Sequence, residues 1–226
     1  MKRTLLALGL LIAASATHAQ VPDGEYISQF GRGSMTVTKG GFEISSVGAN
    51  GHTCGLSGDF KNGVGVVDEG PDACRIAFKK KGDGYDVTPL TVEYCRTYCG
   101  ARASFDGLYL KPAPGCADSE REATQKAFKT AYDAKQYAKA EPLLTRMLQD
   151  CTKTLSAQET ATTRNDIAIT QYHLGKKAEC LKTLAPLAKE AARSDESLKD
   201  DYPPSDWADY QPVVKATRTN LALCRK

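Results

Sequence analysis

The chain has 226 residues, a formal net charge of +3 from 30 basic and 27 acidic side chains, and the apolar content (41%) of a globular protein. A chain so close to neutral lacks the basic stripe with which nucleic-acid-binding proteins release counterions, so nucleic acid is not an expected partner. Beyond the N-terminal segment no stretch approaches the roughly 18 consecutive apolar residues of a membrane-spanning helix, so no membrane insertion is expected.

The first nineteen residues have the pattern of a secretory signal peptide. Lys2 and Arg3 form a basic start, residues 5–14 are apolar, and residues 17–19 end in the small side chains of a cleavage site. The apolar run is too short to span a bilayer of roughly 30 Å as a helix; a buried core helix is the alternative. We therefore expect an exported protein, periplasmic or secreted, and loss of Lys2 and Arg3 would leave 28 basic residues against 27 acidic ones.

Residues 20–110 predict an antiparallel β domain that curls into a small barrel or sandwich. Short runs rich in Val, Ile, Thr, Tyr and Phe are separated by glycine-containing turns. Asn50-Gly51 and Asn62-Gly63 fit tight hairpins, because both central residues of a type I′ turn need a positive φ. The predicted strands are 25–30, 35–39, 42–47, 52–58, 64–69, 74–80 and 85–90, with a closing strand at 107–110 after a helical turn within 95–105.

The proline- and glycine-rich residues 111–115 are typical of a short, stiff linker, and residues 116–226 then switch to a helical period. The Ser-x-x-Glu spacing of a capping box occurs at Ser119 and again at Ser156. The predicted fold class is therefore α+β, a β domain followed by an all-α domain of helical hairpins. The predicted helices cover about 120–134, 136–151, 156–173 and 176–192, with a last helix between the proline pair at 203–204 and residue 224.

A weak repeat in the helical half relates Tyr132 to Tyr172, which lies 40 residues later. Residues 131–144 and 171–184 resemble the inner part of tetratricopeptide repeats, where a tyrosine ends one helix and a small residue lets the next helix pack closely. The chain departs from that pattern in its longer spacing and in Lys135, which stands where a turn glycine is usual. We expect a degenerate helical-hairpin repeat.

Eight cysteines lie in the mature chain, four in each half, and even numbers in an exported protein predict disulfides within each half. A zinc site is the alternative, but neither the spacings nor the two remaining histidines match zinc patterns, so no metal and no cofactor is expected. Antiparallel hairpins predict the pairs Cys116–Cys151 and Cys180–Cys224, each stabilising the chain by about 4 kcal/mol in the chain-entropy account. Of the three pairings open to the β domain, we favour Cys54–Cys74 with Cys95–Cys99.

The sequence contains no established catalytic motif, so no catalytic residue is predicted. His52 and His173 fall in different domains, and His173 stands where it would cap a helix C-terminus. A hydrolase that acts on glycans through a carboxylate pair is an alternative reading. Its candidate residues are Asp59, Asp68, Glu69 and Asp72.

Amphipathic aromatic and basic side chains are the candidates for partner binding, since such residues are enriched in interfaces. In the β domain, Tyr98 and Arg102 could present a rigid loop. In the helical half, Trp207 and Tyr210 lie between two proline-containing segments, where we expect them to be exposed. Tyr132 and its repeat equivalent are expected in the core instead.

Two stretches of the β domain resemble a group of largely uncharacterised exported proteins of Gram-negative bacteria. They are residues 50–58, from Asn-Gly-His-Thr-Cys to Ser57-Gly58, and residues 98–105 (Tyr-Cys-Gly-Ala-Arg-Ala-Ser-Phe) with Gly107 and Tyr109. The group is similar in size and cysteine content to periplasmic lysozyme inhibitors, small disulfide-bonded β proteins that block the lysozyme cleft with a protruding loop. The inhibitors' contact motif is not matched here residue by residue, and Ser57-Gly58 is its nearest counterpart.

Export, paired cysteines and repeat-like hairpins together predict a non-enzymatic binding protein whose partner is another protein of the cell envelope. The resemblance implies that the β domain inhibits a cell-wall hydrolase of the lysozyme type, with the helical domain as a second protein-binding face. An envelope assembly or scaffold protein that acts through the helical domain is the alternative, and the carboxylate-based hydrolase is a second alternative.

Overall fold

The computed structural model describes residues 21–226, so the predicted signal peptide lies outside the described residues. The predicted α+β class is confirmed: eight antiparallel strands close into a barrel, and a helical region follows. Each strand pairs with its sequence neighbours, and Ile27 of the first strand pairs with Leu110 of the last. The strands are β1 (Gly24–Ser28), β2 (Gly33–Thr38), β3 (Gly41–Val47), β4 (Thr53–Lys61), β5 (Val64–Val67), β6 (Cys74–Lys81), β7 (Gly84–Pro89) and β8 (Gly107–Leu110).

Strands such as β2 and β3 alternate between buried and exposed side chains, which gives the barrel an apolar interior. In β3, for example, Phe42 and Ile44 point into the core while Glu43 faces solvent. The rings of Phe42, Phe60 and Phe78 lie 4.9–5.3 Å apart, centroid to centroid. They leave no space for a side chain at Gly65, where a Cβ atom would come within 2.6 Å of Phe78.

The two Asn-Gly sequences form different turns. Asn62 (φ 53°) and Gly63 (φ 79°) make the expected two-residue hairpin between β4 and β5. Asn50 and Gly51 also have positive φ. Their hairpin, however, is not tight, because a five-residue connection that contains a 3₁₀ turn (Ala49–Gly51) joins β3 to β4. The longer loop reaches out of the barrel towards the helical half.

The pairing we favoured for the barrel cysteines is wrong. The disulfides are Cys54–Cys99 and Cys74–Cys95, with Cα–Cα distances of 4.1 and 4.5 Å. A short helix α1 (Val92–Cys95) and a 3₁₀ turn lie between β7 and β8. The two cysteines of this connection contact different strands. Cys95 packs against β6, and Cys99 forms a backbone bridge with Cys54 of β4.

Helices fill the second half of the chain, and both cysteine pairs predicted there are present. Cys116–Cys151 joins the start of the first hairpin to its end, and Cys180–Cys224 ties the fifth helix to the last. Four disulfides indicate an oxidising, exported environment. The helices are α2 (Asp118–Asp133), α3 (Tyr137–Asp150), α4 (Ala157–His173), α5 (Lys177–Ala191), α6 (Asp195–Lys199) and α7 (Pro204–Arg225).

The 40-residue sequence repeat corresponds to a structural repeat. Lys135 (φ 58°) and Gly175 (φ 74°) occupy the left-handed position after α2 and after α4. Each donates its N–H to a tyrosine carbonyl three residues earlier, Tyr132 at 2.8 Å and Tyr172 at 2.9 Å. In both copies the next N–H bonds the carbonyl five residues before it, which completes a Schellman motif. The equivalent positions that follow, Ala140 with Cys180 and Leu144 with Leu184, are all fully buried.

A loop of the barrel caps the last helix. No side chain of the helical half caps α7, whose preceding residue is Pro203. Asn50 supplies the acceptor instead: its side-chain oxygen takes hydrogen bonds from the Ser205 N–H (3.2 Å) and hydroxyl (3.0 Å). The Asn50 N–H donates in return to Asp206 at 2.9 Å. The two halves are therefore joined by contacts beyond the linker.

Candidate functional site

A cavity of about 630 Å³ lies between α2 and α4, the first helices of the two repeated hairpins. We call it the hairpin groove. Phe128 and Leu144 are buried beneath it, and Tyr132 and Ile169 are partly exposed at its sides. Polar side chains such as Gln125 complete the lining. An apolar surface with a few polar groups is the usual composition of a ligand or peptide site.

Asp166 of α4 lines the hairpin groove and carries a negative charge there. Its backbone carbonyl accepts a helical bond from the Thr170 hydroxyl, but within residues 21–226 no group donates a hydrogen bond to its carboxylate. Burial therefore acts on an uncompensated charge and raises the pKa of Asp166 to about 6 from the ordinary 3.8. A carboxylate in this condition gains more from a positively charged ligand than a solvated carboxylate does.

Aromatic rings continue from the groove across both hairpins. The rings of Phe128 and Tyr132 lie 5.6 Å apart, and Tyr137 stacks on the exposed His173 at 4.5 Å. Burial first, and then the charges of Tyr137 and Asp166, raise the pKa of the Tyr132 hydroxyl. Tyr132 is thus close enough to Asp166 for the charge of Asp166 to affect the pKa of the Tyr132 hydroxyl, and both residues line the groove.

The other charged side chains near the groove already have partners. Lys129 pairs with Asp133 at 2.7 Å on α2. Arg121 of α2 pairs with Glu159 of α4 at 2.7 Å, and Glu159 also completes the capping box at the start of α4. Among the groove-lining groups that the structure describes, Asp166 is the charge without a counter-ion.

A second, shallower groove of about 490 Å³ lies on the outside of the barrel across β2–β5, and we call it the barrel groove. It contains Ser57-Gly58 and three of the four carboxylates of the hydrolase alternative, Asp59, Asp68 and Glu69. Two of these carboxylates have donors. Tyr98 donates its hydroxyl hydrogen to Asp68, and Lys61 bonds Glu69, which lowers the pKa of that carboxyl.

Asp72, the fourth carboxylate, does not line the barrel groove. It lies near Tyr94 of α1, and its carboxylate raises the pKa of the Tyr94 hydroxyl. The four acidic residues therefore do not form one cluster.

A third cavity, of about 380 Å³, lies between the barrel and the helical half, and we call it the junction cleft. Arg32 and Val47 line it from the barrel side. On the helical side Glu190 accepts hydrogen bonds from the hydroxyls of Tyr202 and Tyr210, each at 2.7 Å. These bonds satisfy the carboxylate of Glu190 within the protein, so it has less to gain from a ligand than Asp166.

The four residues predicted to bind a partner do not form one surface. Tyr98 lies beside the barrel groove, where it bonds Asp68. Arg102 is exposed, and its backbone contacts Gly48 so closely that a Cβ atom added at Gly48 would lie 2.1 Å from the Arg102 carbonyl oxygen. Tyr210 lines the junction cleft. The exposure expected for Trp207 is wrong, because its side chain is 7% exposed and packs in a small core with Leu198 and Val214.

Sequence reasoning did not identify Asp166. The available signal was an acid within the otherwise apolar and small segment 165–170 of a predicted helix, on the same face as Ile169. Helical spacing shows which residues share a face, but it does not show which neighbouring helix covers that face. The absence of a donor becomes visible only after α2 and α4 are packed together.

Within the described part of the chain, no helix is long and apolar enough to cross a membrane, and no three or more His, Cys, Asp or Glu side chains are grouped as a metal site would require. No protein-family model, curated protein or solved structure matches the chain. The assignment of function therefore depends on the geometry of its own grooves.

Proposed function

We propose that the protein is an exported binding protein that holds a segment of another cell-envelope protein in the hairpin groove. The observation that carries the proposal is the groove itself, which combines buried apolar side chains, the partly exposed Tyr132 and Ile169, and one unpaired carboxylate. Its length along two helices suits an extended or helical segment lying between them. The helical domain then acts as the protein-interaction domain, whether the partner is a hydrolase or a component of an envelope assembly.

Site-specific photo-crosslinking tests this proposal. A photoreactive phenylalanine replaces Gln125, which is exposed in the groove, or as a control Lys215, which is exposed on α7 away from it. In the periplasm of a Gram-negative host, we expect the probe at position 125 to label a defined segment of one partner. Equal labelling from both positions would contradict the proposal.

Inhibition of a lysozyme-type hydrolase by the barrel is a second candidate function. The observation that favours it is the position of Ser57-Gly58, the nearest counterpart of the inhibitors' contact motif, in an open acidic groove with Asp59 and Asp68. Acidic surfaces attract basic partners and speed their association. We expect the mature protein to slow wall lysis by such a hydrolase, and the Asp59→Lys variant to slow it less.

The same wall-lysis assay separates the remaining alternative. Unchanged rates across several hydrolases would remove the inhibitory function. Lysis by the protein alone, abolished in a variant that lacks the Asp59 and Asp68 carboxylates, would instead support the carboxylate-based hydrolase.

A further inference from the structure

The unpaired carboxylate of Asp166 identifies the chemistry of the segment that the hairpin groove accepts. We propose that the groove recognises a basic side chain, lysine or arginine, with Asp166 as its counter-ion and the rings of Phe128 and Tyr132 alongside it. This inference rests on the proposed function, since it names the ligand class of the same groove. It also assigns Asp166 a role that its place in a helix does not require.

The charges around Asp166 favour a cation. From α2, Lys129 is neutralised by Asp133, and Arg121 is neutralised by Glu159 of α4 and by Asp118. From α3, the lining residue is the apolar Leu144. Asp166 therefore adds a negative charge that nothing in the described lining balances, and a basic side chain of the partner would balance it.

The side chains that line the groove favour an organic cation over a metal ion. A calcium or magnesium ion requires about six oxygen ligands, whereas the groove offers one unpaired carboxylate beside aromatic rings. Ammonium and guanidinium groups, in contrast, are attracted both to carboxylates and to the faces of aromatic rings. Their aliphatic stems can also cover the apolar side chains of the groove.

Recognition of this kind depends on pH. Asp166 is ionised above pH 6 and neutral below it, because burial places its pKa at about 6. The ionised form binds the cation, so affinity for a basic segment falls as the pH drops from about 7.5 to 5. Lysine and arginine stay charged throughout this range. Because the ring of His173 also lies 5.9 Å from that of Tyr132, the Asp166→Asn variant, which should lose the pH dependence, assigns the loss to Asp166.

A random hexapeptide library passed over the immobilised mature protein tests the inference. At pH 7.5 we expect the retained peptides to be enriched at least fivefold in lysine or arginine. The enrichment should disappear with the Asp166→Asn variant and decline at pH 5. The matched control is Asp150→Asn, an exposed aspartate at the end of α3 that pairs with Arg146 at 3.3 Å and does not line the groove. This variant should leave the enrichment unchanged.

Two results would overturn the inference in distinguishable ways. Retention of peptides without basic enrichment, or with the same enrichment in the Asp166→Asn variant, would show a peptide groove that does not recognise cations. Failure of the folded protein to retain any peptide at pH 7.5 would contradict the peptide groove as well. Circular dichroism of each variant establishes that it is folded before it is assayed.

Discussion

Acidic side chains line a groove in each half of the molecule, but they differ in burial and in hydrogen-bond donors. In the barrel groove, Asp68 and Glu69 stand on the outer surface with donors, Tyr98 and Lys61, beside them. In the hairpin groove, Asp166 is largely buried, and within residues 21–226 nothing donates to its carboxylate. The pKa of Glu69 is lowered by its partner, while the pKa of Asp166 is raised by burial.

The difference follows from where the acids lie in each half. Asp68 and Glu69 lie in the exposed connection after β5, where they remain in water and have donors on β4 and on the 3₁₀ turn that ends at Tyr98. A helix in a repeat is covered on two sides, and an acid at the edge of a covered face loses water without gaining a donor. An acid that destabilises its own fold in this way is a candidate for ligand binding.

Removal of the disulfide Cys116–Cys151 is expected to have the largest effect, because it should destabilise the half that holds the hairpin groove and leave the barrel groove intact. The double Ser variant should lose about 4 kcal/mol of unfolding free energy, because a 35-residue separation is no longer constrained in the unfolded chain. The loss should be confined to the helical half, so that the hairpin groove disappears while the barrel persists. Guanidinium titration followed by near-ultraviolet circular dichroism measures it, and a loss below about 1 kcal/mol would contradict the expected role of this disulfide.

The Asp166→Asn variant should be more stable than the wild type at neutral pH. A buried carboxyl whose pKa rises from 3.8 to about 6 contributes stability that is complete below pH 3.8 and is lost as the pH rises to 6. The shift corresponds to about 3 kcal/mol at most, so we expect a gain of up to about that size at pH 7.5 and none near pH 3.5.

Urea titrations at the two pH values measure this effect. Asp59→Asn is the matched control, since Asp59 is exposed on the barrel and should give a small change at either pH. If the unfolding free energies of Asp166→Asn and the wild type changed in parallel across pH 3.5–7.5, the pKa of Asp166 would not be raised by folding. The difference between the two grooves would then be contradicted.

The two hairpin turns offer a sharper comparison within the helical half. Lys135→Gly should stabilise the protein by about 1 kcal/mol, because an L-residue in the left-handed conformation is strained. Gly175→Ala, at the equivalent position, should destabilise it by about the same amount. Thermal unfolding of the two variants measures both effects, and changes of the same sign would show that the turns are not equivalent.

The smallest expected effect concerns the contact that joins the two halves. Asn50→Gly keeps the positive φ of this residue but removes the acceptor for Ser205 at the start of α7. We expect a loss of roughly a few tenths of a kcal/mol in the stability of the helical half, as for other replacements of an N-cap side chain by glycine. Amide hydrogen exchange in the first turn of α7 would report it, and unchanged protection there would show that the cap is dispensable.

Much of the fold could be predicted from the sequence. Strand alternation and glycine turns indicated all eight strands, and the capping box at Ser156 located the start of α4 at Ala157. The capping box predicted at Ser119 is wrong, because Ala117 is the N-cap and Ser119 already lies inside α2. Both helical disulfides followed from hairpin geometry, because antiparallel helices bring distant cysteines to the same end. These features depend on local patterns and on elements that are adjacent in the chain.

The features that were missed depend on contacts between distant segments. Cys54 lies opposite Cys99 because the segment after β7 folds back over the end of the barrel, which the cysteine spacing does not reveal. Trp207 is buried because the short helix α6, which was not predicted, brings Leu198 against it. The candidate site belongs to the same class, since Asp166 is partly buried only once α2 and α4 lie on either side of the hairpin groove.

Titration of Asp166 tests most directly whether its carboxylate is desolvated and unpaired in the hairpin groove. In protein labelled with ¹³C, the carboxyl resonance of Asp166, assigned by comparison with the Asp166→Asn variant, should titrate with a pKa of about 6 in the absence of a partner. A midpoint near the ordinary 3.8 would show that the carboxylate is solvated or paired, and would contradict the assignment of the groove as a site for basic segments.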